Sequence, residues 1–69
     1  MTTQALGQFI KIRRKELKMN QREVAMVSGT GLRFISDLEN GKRSCELGKV
    51  LDVLASLGIE VTLAQRRGL

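Results

Sequence analysis

Apolar and polar positions alternate along this chain with a helical rhythm for most of its length. Leu6, Ile10 and Leu17, joined by Phe9, recur at the spacing of a 3.6-residue turn. They predict a first helix over about residues 3–18, with Thr2 or Thr3 as its N-cap. Lys11, Lys15 and Lys18 fall on the wet side of the wheel, but Arg14 shares the stripe of Ile10 and Leu17. A charge turned inward needs a partner, because an uncompensated one costs several kcal/mol. Asn20 and Glu23 form an N-x-x-E capping box, with Met19 placed to staple onto Val24. They open a second helix over about residues 21–28, ended by Gly29. Thr30 is the expected cap of a third helix over about residues 31–40, with Gly41 as its stop.

A fourth helix is expected from Cys45 or Glu46, capped by Ser44, and carries Leu47, Val50, Leu51, Val53, Leu54 and Leu57. That apolar face is broader than one contact needs. Gly48 within it predicts the close approach of another helix, since glycine inside a helix costs about 1 kcal/mol against alanine. After Gly58 the rhythm changes to an apolar–polar alternation with β-branched residues over 59–63, a strand pattern. A lone strand has no ladder partner, and no second strand pattern occurs. Pairing with the same strand of a second subunit across a twofold axis resolves this, the alternative being a disordered strand-like tail. Leu54, Leu57, Ile59, Val61 and Leu63 are then the expected dimer surface.

Composition sharpens the picture. Sixty-nine residues make one domain, 1–69, and a chain of this size buries only roughly 60% of its unfolded surface. With two Phe, no Trp and no Tyr, the core must come from smaller aliphatic residues, and dimerisation would enlarge it. The net charge of +5 gains meaning from clustering: Lys11 to Lys18, Arg33, Lys42 with Arg43, and Arg66 with Arg67 in the basic tail 64–69. A single cysteine, Cys45, and the absence of histidine exclude an internal disulfide, Cys/His zinc sites and histidine-based nucleophile arrangements. No cofactor, small-molecule ligand or enzymatic activity is expected. Neither a signal sequence nor a bilayer-spanning stretch is present, which predicts a cytoplasmic, nucleoid-associated protein without a membrane partner.

Residues 21–40, QREVAMVSGTGLRFISDLEN, hold two short helical patterns about a glycine turn, the layout of a helix-turn-helix. Gln21 opens the unit, Ala25 is small where two helices cross, Gly29 turns, Ile35 and Leu38 are apolar, and Glu39, Asn40 and Gly41 follow. This stretch resembles the helix-turn-helix of phage-repressor-like (Cro/C1, or XRE) regulators. The longer run RFISDLENGKRSCELGKVLDVLASLGIEVTL is similar to the HipB-type antitoxins that sit beside HipA-like kinase toxins, and the likeness spans about residues 6–63. It implies an all-α, lambda-repressor-like domain of four to five helices with a C-terminal β-strand pairing across a homodimer. It also implies repression through a palindromic double-stranded operator and capture of a HipA-like kinase; the kinase rests on the resemblance alone. Thr30 and Gly31 depart from the family pattern, which has an aliphatic and a polar residue there.

Roles follow from chemistry and from this likeness. Arg33 is the first candidate for base reading, since a guanidinium forks onto the O6 and N7 of guanine. Ser36 can bond a base edge or a phosphate, and Leu32 can touch a thymine methyl or pack partly inside. Lys42 and Arg43 suit phosphates, with Arg22, Thr30 and the Gly31 amide as further candidates. Gln21 matches the family position that bonds a phosphate, and the positions matching Arg14 and Glu39 form a buried ion pair in the family. Asp37 is expected outward or paired with an arginine, and Phe34 beside the sugar-phosphate edge or in the dimer. A stand-alone XRE repressor without a toxin and a protein-interaction adaptor are the competing functions.

Overall fold

A computed structural model of the chain describes residues 1–68; Leu69, the last position of the expected basic tail, lies outside the described residues. Four helices are found among the described residues: α1 (Thr3–Glu16), α2 (Gln21–Ser28), α3 (Leu32–Glu39) and α4 (Leu47–Ser56). Helix α1 packs on α3, and α2 packs on both α3 and α4. The core they enclose is aliphatic, with Ile10, Val24, Ala25, Ile35, Leu38, Val50, Val53, Leu54 and Leu57 buried. Leu6, Met19, Phe34, Cys45 and Ile59 pack partly against it.

Each helix start has a local cause. The Thr2 hydroxyl accepts the Ala5 N–H at 3.0 Å. Asn20 and Glu23 close a full capping box, both bonds at 2.8 Å. Two expected caps are corrected. Helix α4 is capped by Glu46, whose carboxylate accepts the Lys49 N–H at 2.9 Å, rather than by Ser44. A carboxylate is a stronger acceptor than a hydroxyl and its charge suits a helix N-terminus. Thr30 does not cap α3 either: its hydroxyl bonds the Ser28 hydroxyl at 2.9 Å, and Gly31 takes the cap position without a side-chain bond.

All four helices end alike. In each, one N–H reaches back five residues and the N–H before it reaches back three: Met19 to Arg14 and Lys18 to Lys15, Thr30 to Ala25 and Gly29 to Met26, Lys42 to Asp37 and Gly41 to Leu38, Ile59 to Leu54 and Gly58 to Ala55. This Schellman closure needs a left-handed residue. Glycine fills that place in three helices, whereas α1 uses Lys18 at φ 57°, which ends it two residues before the expected boundary.

Three packing expectations change. Phe9 and Leu17 are exposed rather than inward, because the buried stripe of α1 runs Gly7, Ile10, Arg14, with Leu6 half-buried beside it, and Leu17 lies beyond the helix end. No helix approaches Gly48, where an added Cβ would meet only the Glu46 side chain at 3.5 Å or more. The close approach is at Gly7 instead, where a Cβ would overlap the carbonyl oxygens of Leu38 and Glu39. Leu54 and Leu57, expected on the dimer surface, are 4% and 1% exposed. They are consumed by the protomer's own core, since the inner side of α4 is what α2 packs against.

Two substitutions test these backbone readings by thermal unfolding. Lys18→Gly relieves a left-handed lysine and raises stability by about 0.5–1 kcal/mol. Gly7→Ala forces α1 off α3 and lowers it by about 1–3 kcal/mol.

Candidate nucleic-acid interface

The second helix of the helix-turn-helix is amphipathic in a strict sense. Ile35, Leu38 and Glu39 of α3 are buried, while Leu32 and Arg33 face outward and Ser36 is half-buried. Eight residues do not make a stable helix alone, so α3 is held by packing. The decisive contact lies at its end. The Arg14 guanidinium forks onto the Glu39 carboxylate, Nε to Oε2 at 2.6 Å and Nη2 to Oε1 at 3.0 Å. Its Nη1 donates to the Met19 carbonyl at 2.9 Å, and the Gln21 side-chain amide donates to Glu39 Oε1 at 3.1 Å. One buried cluster therefore joins α1, the α1–α2 turn, the start of α2 and the end of α3.

Burial pushes the Glu39 carboxyl up, but hydrogen bonds from Arg14 and Gln21 and the charges of Arg14 and Lys11 outweigh it, so the net shift is downward. Arg14 moves the other way: the hydrogen bond to Glu39 and that residue's charge raise it against the opposing effect of burial. Both groups are ionised at neutral pH, and no buried side-chain polar atom among the described residues lacks a partner.

The expected contact residues lie around α3 as follows. Arg33 has a side chain 90% exposed, held loosely to Asp37 one turn on at 3.6 Å. Lys42, just past the helix, reaches the same carboxylate at 3.4 Å. Arg22, Gly31 and Arg43 are exposed, and Thr30 and Gln21 are half-buried. Gly31 has φ −110° and open space where a Cβ would stand, so nothing within the chain requires glycine there. Phe34 packs against the core with the Lys49 ammonium 5.8 Å from its ring centre. Sequence reasoning did not single out Arg13, whose Nε donates to the Leu57 carbonyl at 2.9 Å and so ties the end of α4 to α1. An exposed-looking arginine beside a buried one carries no signal for such a contact. Residues 59–63 form no ladder among the described residues.

A helix-turn-helix family model matches residues 10–63, most of the chain and the whole of this arrangement. The chain belongs to the XRE-type helix-turn-helix family. It is a DNA-binding transcriptional regulator of that family. It is 48% identical over 58 residues, 84% of this chain and 76% of the relative, to the uncharacterised HTH-type transcriptional regulator y4mF of Sinorhizobium fredii. Among solved structures it is similar to a chain of the HipA–HipB–O2–O3 complex, with a TM-score of 0.86, 25% identity, and coverage of 97% of this chain and 94% of that one. The HipB–O4 20mer complex matches with the same TM-score, identity and coverage. No helix among the described residues is long and apolar enough to cross a membrane.

The buried pair makes a stability test with a defined pH dependence. Glu39→Gln preserves shape but leaves Arg14 uncompensated, and should cost about 3–5 kcal/mol. Because the folded carboxyl titrates below its unfolded value of about 4.3, the stabilisation is complete above that value and is lost as pH falls through the lower folded one. Thermal melts from neutral to acid pH should show the wild-type advantage over Glu39→Gln narrowing only in the acid range.

Proposed function

We propose that the protein is a dimeric operator-binding repressor, the HipB-like antitoxin of a toxin–antitoxin operon that represses its own promoter and holds a HipA-like kinase toxin. The observation that carries this reading is the outward presentation of Leu32 and Arg33 on a helix locked by Arg14 and Glu39, in a fold shared over nearly its full length with HipB, whose structures include complexes with HipA and O2–O3 and with an O4 20mer. Arg33 reads a base edge, with Leu32 and Ser36 beside it. Lys42, Arg43, Arg22 and Thr30 address phosphates. Gln21 spends one amide hydrogen on Glu39 and offers the other to the backbone. The Gly31 amide stands at the start of α3, which no side chain caps, and the open space where a Cβ would stand lets a phosphate come close.

The dimer is formed by residues 59–63 pairing with their symmetry mates. Support comes from exposed apolar surface with no use inside the protomer: Phe9, Val61 and Leu63. They stand at or near a groove of about 300 Å³ between α1 and this segment, lined by Met1, Ala5, Leu6, Phe9, Leu54 and residues 59–62. Ile59 is half-buried at its inner edge. A regulator without a toxin is the second reading, favoured by the relative that is named as a transcriptional regulator alone.

Gel shifts with the upstream region of the chain's own reading frame test operator binding, and affinity should fall steeply with salt, roughly 10³-fold between 50 and 200 mM for six phosphate contacts. Footprints should show two half-sites about 34 Å apart or a multiple. Replacing Val61 and Leu63 with lysine should give a folded monomer by sedimentation, with roughly 10²-fold weaker operator binding. Co-purification with the neighbouring gene product, followed by mass measurement, separates antitoxin from stand-alone repressor.

A further inference from the structure

Asp37 is an oddity on the face that meets DNA. It lies in the last turn of α3, where a negative charge opposes the helix dipole. Its partner Arg33 precedes it by four residues, the less favourable order for a helical ion pair. Helix stability therefore does not account for it. Yet the carboxylate is the more sheltered member of its group: Asp37 side-chain exposure is 27%, against 90% for Arg33 and 52% for Lys42. Oδ1 faces Arg33 at 3.6 Å and Oδ2 faces Lys42 at 3.4 Å. The backbone holds the lysine in place, since the Lys42 N–H also donates to the Asp37 carbonyl at 3.0 Å.

We propose that Asp37 is a specificity-determining residue, which holds the Arg33 guanidinium for base reading and withholds Arg33 and Lys42 from indiscriminate phosphate binding. The inference rests on the DNA-binding reading of α3. An untethered arginine or lysine on this face gains from any nearby phosphate, whatever the sequence. Two cations sharing one carboxylate have much of that attraction cancelled in advance. The carboxylate itself is repelled by a phosphate brought near, so a duplex that offers no base partner to Arg33 gives little in return. A duplex with guanine at the right place recovers the loss, because Arg33 faces Asp37 through Nε and its guanidinium keeps N–H groups for O6 and N7. Asp37 thus lowers affinity for all DNA and lowers it least for the correct sequence.

The test compares wild type with Asp37→Asn and Asp37→Glu on two probes: a mixed-sequence 20-base-pair duplex, and a duplex selected from a random pool by the wild-type protein. Asp37→Asn should bind the mixed duplex roughly two- to fivefold more tightly. Its slope of log affinity against log salt should steepen by about 1.8, one further phosphate contact from each protomer of the dimer at about 0.9 apiece. The preference for the selected duplex should fall, and Asp37→Glu, which keeps the charge, should restore both preference and slope. Equal weakening on both probes, or an unchanged preference and slope in Asp37→Asn, overturns the inference while leaving DNA binding intact. Wild-type protein that binds neither probe in a salt-dependent way overturns the DNA-binding reading as well.

Discussion

A single buried guanidinium holds this domain in register. Arg14 points into the helical bundle, forks onto Glu39, and uses its remaining nitrogen on the Met19 carbonyl, while Gln21 closes the carboxylate from the other side. Charges buried without such saturation would unfold a domain of this size. Saturated, they do what apolar contacts cannot, because a forked hydrogen bond tolerates little sliding or rotation. The end of α3 is thereby fixed against α1 and the start of α2. Gly7 allows the approach, bringing the α1 backbone onto the carbonyls of Leu38 and Glu39.

The division of labour on α3 follows from that anchor. With Ile35, Leu38 and Glu39 turned inward, the helical period sends Leu32 and Arg33 outward, and Asp37 comes between Arg33 and Lys42. The helix is too short to orient itself, so its use as a reading head depends on what lies beneath it. Helix α4 contributes by filling the core with Val50, Val53 and Leu54, joined by its C-cap Leu57. Arg13 ties the carbonyl of that cap to α1.

Much of this architecture is readable in the chain because it rests on periodicity and on local chemistry. The capping box at Asn20 and Glu23, the glycine exit at Gly29, the bounds of α2 and the inward Arg14 are all local patterns that the fold retains. Where the reading fails, two chemically similar residues compete or distance in sequence hides a contact. Ser44 and Glu46 could each cap α4, and the charged acceptor wins. Thr30, expected to cap α3, bonds the Ser28 hydroxyl instead. Gly48 and Gly7 both lie within helices, and only the assembled bundle shows that α3 presses on the second. Leu54 and Leu57 belong to a face too broad to divide by pattern alone, so their use in the protomer core could not be told from use between protomers. Lys18 in a left-handed turn follows from no propensity; the closure of α1 demands it.

Whether the domain is truly held together at this one point can be measured by a double-mutant cycle on Arg14→Met and Glu39→Leu, read by denaturant unfolding. Each single change should be severe and the double change much milder than their sum, with a coupling of about 2–3 kcal/mol. Losses that simply add would mean the two side chains contribute independently, and that something else fixes the reading helix in place.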